Sequence, residues 1–162
     1  MMQNFVGTWR LKSFELRSTG GQVSYPFGED AKGYLIYTQD GYISVAFMRA
    51  NRPHFNSADP VAGSLEEKAG AADSYYGYCG RYELEGDSVI HHIEVSFFPN
   101  WCGTDQVRLY RFDDDQLTLS TQPFLVSGDM QTGHLIWEKA RAEQTDSLPL
   151  LSAMFMRSLD IS

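Results

Sequence analysis

Apolar and polar positions alternate along most of this chain, in short runs broken by turn residues. A period of two puts successive side chains on opposite faces of a strand. Eight such runs stand out: 8–17, 33–38, 42–49, 78–85, 88–97, 105–112, 116–122 and 134–139. One stretch, 64–74, departs from the alternation and predicts a short helix between the third and fourth strands. Ser64 can cap it, and Glu66 and Glu67 suit its first turn. Three connections are tight, at Gln39-Asp40-Gly41, Glu85-Gly86-Asp87 and Asp113-Asp114-Asp115, and they alternate with four long ones. In an up-and-down sheet this gathers every tight turn at one end and every long loop at the other. The predicted fold is all-β: an eight-stranded up-and-down antiparallel β-barrel with a closed floor and a loop-rimmed mouth.

The tight turns also set register, and register sets facing. A two-residue turn on Gly86-Asp87 pairs Leu84 with Val89, Tyr82 with His91, Gly80 with Ile93 and Tyr78 with Val95. That face is interior, because the other carries Glu83, Arg81, His92 and Glu94. A turn on Asp114-Asp115 pairs Phe112 with Leu117, Tyr110 with Leu119 and Arg108 with Thr121. It brings Arg108 and Gln106 inside. At Asp40-Gly41, glycine in a left-handed bulge position collects Leu35, Tyr37, Ile43, Val45 and Phe47 on one face. The first strand puts Trp9, Leu11, Ser13 and Glu15 on one side. The last puts Leu135 and Trp137 there.

Composition narrows the function classes. Aromatic residues make up 14% of the 162, which favours sheet over a helix bundle. The length fits one barrel domain, residues 1–142, followed by a tail, 143–162. Leu150, Leu151, Met154, Phe155 and Leu159 recur in that tail at helical spacing. Asp146 or Ser147 can cap the helix, with Pro149 in its first turn. They predict a helix against the barrel wall or, alternatively, a homodimer contact. A net charge of −8 argues against nucleic acid and anionic membranes as partners. The start, Met1 to Trp9, lacks the pattern of a signal peptide, and no apolar run approaches the roughly 18 residues that span a bilayer. A cytoplasmic location is the expectation. Cys79 and Cys102 have no metal-site or redox spacing and read as two free thiols, with a single bridge as the alternative.

Gly7-Thr8-Trp9 resembles the Gly-x-Trp that opens the first strand of lipocalins. More specifically, the chain resembles the bacterial and fungal lipocalin-like domain family. Gly7–Leu11, Gly33–Tyr37 with Asp40-Gly41, Gly80-Arg81-Tyr82, His91-His92, Phe98–Arg108 and Leu117–Thr121 carry the likeness. The segment from Pro99 to Arg108 is its most specific part. The resemblance implies a barrel holding a small apolar ligand, with Trp9 plugging the floor. It also implies a basic residue packed on that Trp, a place Arg141 could fill.

The candidate chemistry lies on the interior face. His91 and Arg108 point into a space otherwise lined by tyrosines and aliphatic side chains. A buried guanidinium stays charged and needs an acceptor. That acceptor is either a ligand oxygen or an internal partner such as Glu15, with Gln106 and Tyr82 completing a network. His91 reads either as a proton donor or acceptor to a ligand or as a satisfied core histidine. His91 and His92 point to opposite faces, so they cannot share a metal ion. Trp101 lies at the mouth, where it caps a ligand or anchors a loop. Pro53, His54 and Phe55 are candidates for a lid. The ligand-binding set is Tyr37, Phe47, Tyr82, His91, Trp101, Gln106, Arg108, Tyr110 and Trp137. The partner is a small hydrophobic molecule with an acidic or carbonyl group near Arg108, and no cofactor or metal is called for. Binding alone is the first reading. A cyclase, isomerase or dehydratase using His91 as acid or base, with Arg108 or Tyr82 stabilising charge, is the alternative.

Overall fold

A computed structural model describes residues 2–141, with side chains from Asn4 onward. The expected tail helix and dimer contact in 143–162 lie outside the described residues. The alternating runs form β1 (Gly7–Ser18), β3 (Lys32–Tyr37), β4 (Tyr42–Met48), β5 (Tyr75–Glu85), β6 (Ser88–Ser96), β7 (Asp105–Asp113), β8 (Gln116–Thr121) and β10 (Asp129–Lys139). These eight pair in chain order, and β10 closes back on β1. The result is the closed antiparallel barrel that the alternation predicts. Two short strands, β2 (Val23–Ser24) and β9 (Phe124–Val126), pair with the mouth ends of β1 and β10. The last long connection is therefore itself a hairpin. Its turn residues Ser127 and Gly128 both have positive φ.

The helix α2 (Leu65–Asp73) follows Ser64 as expected. Ser64 Oγ accepts from the Glu67 amide at 3.1 Å, and Glu67 Oε2 accepts from the Ser64 amide at 2.7 Å. This reciprocal box ties down two amides that a helix start otherwise leaves open. The connection before α2 folds back on it. The Asn56 amide donates to Glu67 Oε1, and the Phe55 ring lies where a Cβ on Gly63 would stand.

The tight turns set register as the sequence implies. Tyr37 pairs with Ile43, Tyr82 with His91, and Arg108 with Thr121. Gly41 adopts the left-handed conformation, φ +88, that the bulged turn requires. Two bulges inside strands change the expected facing. In β1 the pairing with β10 shifts between Leu11 and Ser13. Beyond that shift Phe14 and Leu16 turn inward, and Ser13 and Glu15 turn out. Glu15 is then taken by Arg17, whose Nη2 lies 2.7 Å from its carboxylate. In β5–β6 the pairing shifts between Cys79 and Gly80, so Cys79 rather than Tyr78 faces Val95. Tyr78 pairs with Ser96, and Val95 is left exposed. A Cβ on Gly80 would stand 1.9 Å from the His92 carbonyl oxygen, so the backbones can meet here only at glycine.

The floor is a cluster of rings. The helix α1 (Met2–Phe5) runs into β1 and drives Phe5 into the closed end, where it is fully buried. Phe5 meets Tyr37, Tyr110 and Phe112 edge-on, with centroids 5.2, 4.8 and 4.9 Å away. Offset edge contacts of this kind add about 0.5–1.5 kcal/mol each beyond the apolar area buried. Trp9 is buried beside them, and its Nε1 donates to the Phe5 carbonyl at 2.8 Å. The basic residue over Trp9 is Lys139, not Arg141. Lys139 Nζ lies 4.3 Å from the ring centroid and donates to the Val6 carbonyl. Arg141, two residues further on, reaches outward to Asp115 at 2.6 Å. The Trp9↔Lys139 register decides between them.

Gly80→Ala should destabilise the barrel by about 1–3 kcal/mol, since the new methyl group forces two backbones apart. Gly70→Ala, in open space on α2, should be neutral or stabilising. Urea denaturation of the two variants checks both. Equal stability of Gly80→Ala and the parent would refute the tight approach at the bulge.

Candidate functional site

Above the ring floor, the barrel opens into a cavity of about 670 Å³ that reaches the mouth. Its walls are mostly apolar: Leu35, Val45 and Phe47 from β3 and β4, Leu119 from β8, Leu135 and Trp137 from β10. Phe14 and Leu16 join them because of the β1 bulge. Phe27, from the first long loop, stacks on Phe14 at 5.8 Å and closes one side.

Polar groups concentrate on β5, β6 and β7. His91 is fully buried, with its ring between two tyrosines. Its Nε2 lies 2.7 Å from Tyr37 Oη and its Nδ1 lies 2.9 Å from Tyr78 Oη. Burial, then the charge of Arg108, push its pKa down to about 3. The imidazole is therefore neutral at physiological pH and has one donor nitrogen and one acceptor nitrogen. Burial likewise raises both tyrosine pKa values, so both partners keep their protons. Tyr37 has one described hydrogen-bond partner, His91, and its buried O–H must donate there. The Nδ1–H of His91 then donates to Tyr78. The charge of Arg108 also acts on the Tyr78 hydroxyl. With its oxygen accepting from His91, Tyr78 keeps its own proton to donate into the cavity.

Arg108 is 8% exposed. Its Nη1 donates to the Val107 carbonyl at 3.0 Å and its Nη2 to Gln106 Oε1 at 3.3 Å. Its guanidinium carbon lies 5.8 Å from the Trp101 ring centroid. Among the described residues no carboxylate pairs with it. Glu15, the expected internal partner, faces outward beyond the β1 bulge. Asp105 is the one acid in the cavity lining, and its Oδ1 is held by outward-facing His92 at 2.7 Å.

Six residues of the sequence-derived set line the cavity: Phe47, His91, Trp101, Gln106, Arg108 and Trp137. Tyr37, Tyr82 and Tyr110 lie outside that lining. Tyr37 supports His91 from below, Tyr82 Oη donates to the Thr38 carbonyl, and Tyr110 Oη donates to the Gly86 carbonyl. All three are near the floor because register places them on the tight-turn side. Trp101 both lines the mouth and is anchored there, edge-on to Tyr76 at 5.3 Å and Tyr78 at 5.7 Å. Pro53, His54 and Phe55 do not reach the lining, because their loop is folded onto α2. The tyrosines that sequence reasoning passed over are Tyr76 and Tyr78. Tyr78 was legible on the interior face. Tyr76 precedes the expected start of β5, although Tyr75-Tyr76 is itself a strand-forming pair. Trp137 Nε1 is buried and has no acceptor among the described residues. Cys79 and Cys102 are both free thiols.

A closed eight-stranded barrel with a packed floor and an apolar, mouth-side cavity defines the lipocalin-like class. The chain belongs to the lipocalin-like domain family, with a match over residues 6–140. It is 36% identical over 106 residues to a protein of Aspergillus oryzae named 4'-hydroxy-3'-methoxypropiophenone carrier protein ppsC. That alignment covers 60% of this chain and 96% of the relative. Among solved structures, it resembles an uncharacterized protein from Bacteroides eggerthii at 15% identity and a TM-score of 0.41, covering 83% of this chain and 98% of that one. It also resembles a protein titled REP1-NXSQ fatty acid transporter, at 13% identity and a TM-score of 0.40, covering 87% and 99%. Structural likeness at that level carries no functional weight. Among the described residues no helix is long and apolar enough to cross a membrane.

The burial of His91 has a thermodynamic consequence. Its folded pKa of about 3 lies below the ordinary 6.5, so the unfolded chain binds the extra proton. This contribution leaves stability undiminished above about pH 6.5 and lowers it progressively as pH falls toward 3, by up to about 1.4 kcal/mol per pH unit. His134, whose pKa is also lowered by burial, adds the same sign. Urea midpoints measured from pH 7 to pH 4 should fall less steeply for His91→Gln than for the parent. Parallel slopes would mean that His91 is not held neutral by the fold.

Proposed function

We propose that this barrel is a carrier for a small, largely apolar aromatic molecule, oriented by one acceptor oxygen at Arg108 and Tyr78. The observation that supports it most directly is the site itself: a 670 Å³ apolar cavity with one buried cation and no acidic partner for it among the described residues. Apolar walls supply the bulk of affinity in such cavities, and a few placed polar groups set orientation. Rings at the mouth and walls, Phe47, Tyr76, Trp101 and Trp137, suit a flat aromatic guest. The likeness to a protein named as a 4'-hydroxy-3'-methoxypropiophenone carrier supports the same class, an aryl ketone with oxygens at its edge.

The alternative, an enzyme with His91 as acid or base, asks for a proton on and off that ring near neutral pH. Burial and Arg108 work against it, and both ring nitrogens are already engaged by tyrosines. Among the described residues, the carboxylate in the lining, Asp105, is already engaged by His92. The observations favour holding over chemistry.

4'-Hydroxy-3'-methoxypropiophenone should quench the fluorescence of the purified protein saturably and with 1:1 stoichiometry, since Trp101 and Trp137 line the cavity. Tyr78→Phe should weaken binding about fivefold, the loss of roughly one hydrogen bond of about 1 kcal/mol. Tyr34→Phe, on the exposed face, should leave it unchanged. Quenching that never saturates, or equal effects of the two substitutions, would overturn the carrier reading.

A further inference from the structure

We infer that the cavity selects the ionised form of a weak oxygen acid, a phenol or enol conjugated to a carbonyl group, and releases the proton to solvent on binding. This rests on the carrier reading and adds the charge state of the guest. Arg108 is a largely buried cation, and burying a cation without a counter-charge is unfavourable. Among the described residues, the elements around it bring no free counter-charge, and β8, paired with it through Thr121, brings only uncharged side chains there. On β5, Tyr76 and Tyr78 are neutral phenols held above their ordinary pKa by burial. On β6, His91 is a neutral imidazole. On β7, Gln106 is uncharged and Asp105 is engaged by His92. The turn at Pro99–Trp101 contributes only the indole face. The one missing component is an anion, and the space beside the guanidinium is cavity.

The donors limit which anion fits. Two of the five Arg108 N–H groups are committed, to the Val107 carbonyl and to Gln106, so a guest oxygen meets the three that remain. What remains is part of the guanidinium together with the Tyr78 hydroxyl proton. That pair matches one oxygen of a delocalised phenolate or enolate, whose charge spreads over a ring that the apolar walls can cover. Two effects compete for the guest's ionisation. Desolvation favours its neutral form, and pairing with Arg108 favours the anion. Pairing prevails because the cation is buried before the guest arrives, and a neutral guest would leave it uncompensated.

The test uses the unmodified protein and two probes, 4'-hydroxy-3'-methoxypropiophenone and its O-methyl ether, which cannot ionise. The phenolate absorbs at longer wavelength than the phenol, so its ionisation midpoint can be read with and without excess protein. The bound midpoint should fall at least about one unit below that of the free probe, meaning that the anion binds about tenfold or more tighter than the phenol. Calorimetric titrations one unit below the free midpoint, in two buffers of different ionisation heat, should report net proton release on binding. Arg108→Gln should bring the bound midpoint back to the free value or above it, whereas Tyr34→Phe, on the exposed face, should keep the full shift. Binding of both probes with an unshifted or raised midpoint in the unmodified protein overturns this inference and leaves the carrier reading intact. Binding of neither probe overturns both.

Discussion

A sheet closed on itself gives each side chain only two places to go, into the barrel or out of it, and the period of two makes neighbours alternate. Everything at this site follows from where that alternation is kept and where it slips by one. Between Gly86 and Gly80, unbroken pairing carries Tyr82, His91 and Gln106 into the interior in step with Arg108. One extra residue in β1 then swaps Glu15 for Phe14 and Leu16. The swap turns that carboxylate outward to Arg17 and puts apolar wall in its place. A local backbone irregularity thus keeps this acid out of the cavity.

The floor matters for a related reason. Phe5, Trp9, Tyr37, Tyr110 and Phe112 fill the tight-turn end so completely that no guest can sit low in the barrel. The available volume lies toward the mouth, and its polar boundary is the line Tyr37–His91–Tyr78–Arg108. His91 ties the packed half to the open half. One nitrogen bonds a floor tyrosine and the other a cavity tyrosine. Its neutrality lets it do both, because an imidazolium would have two donors and no acceptor for the Tyr37 proton. The same neutrality keeps a second positive charge away from Arg108.

Much of this is legible in the sequence, and what is not has a common cause. Turn chemistry at Asp40-Gly41, Gly86-Asp87 and Asp114-Asp115 is local, so it yields register, and register yields His91, Gln106 and Arg108 on the inside. The Ser64 cap is equally local. The bulges at Lys12 and at Glu94, opposite Gly80, come from how two strands meet, and no neighbouring residue announces them. Lys139 rather than Arg141 covers Trp9 for the same reason: both lie near the end of the last strand, and only the long-range pairing with β1 tells them apart. Phe5 escapes notice because its helix is a single turn, too short to show a period.

The placement of Arg108 also weighs on what kind of protein this is. A barrel meant only to enclose apolar matter has no need of a guanidinium in its wall, since any hydrogen-bonding side chain could orient a guest at lower desolvation cost. A barrel meant for acid–base catalysis would need a titratable partner beside the charge, and the nearest imidazole is held neutral by burial and, after it, by that charge. Among the described residues the site brings together a buried cation and a phenolic donor, an arrangement that can bind and orient a guest. On the proposed carrier reading, such a cavity suits holding an ionisable aromatic molecule out of water.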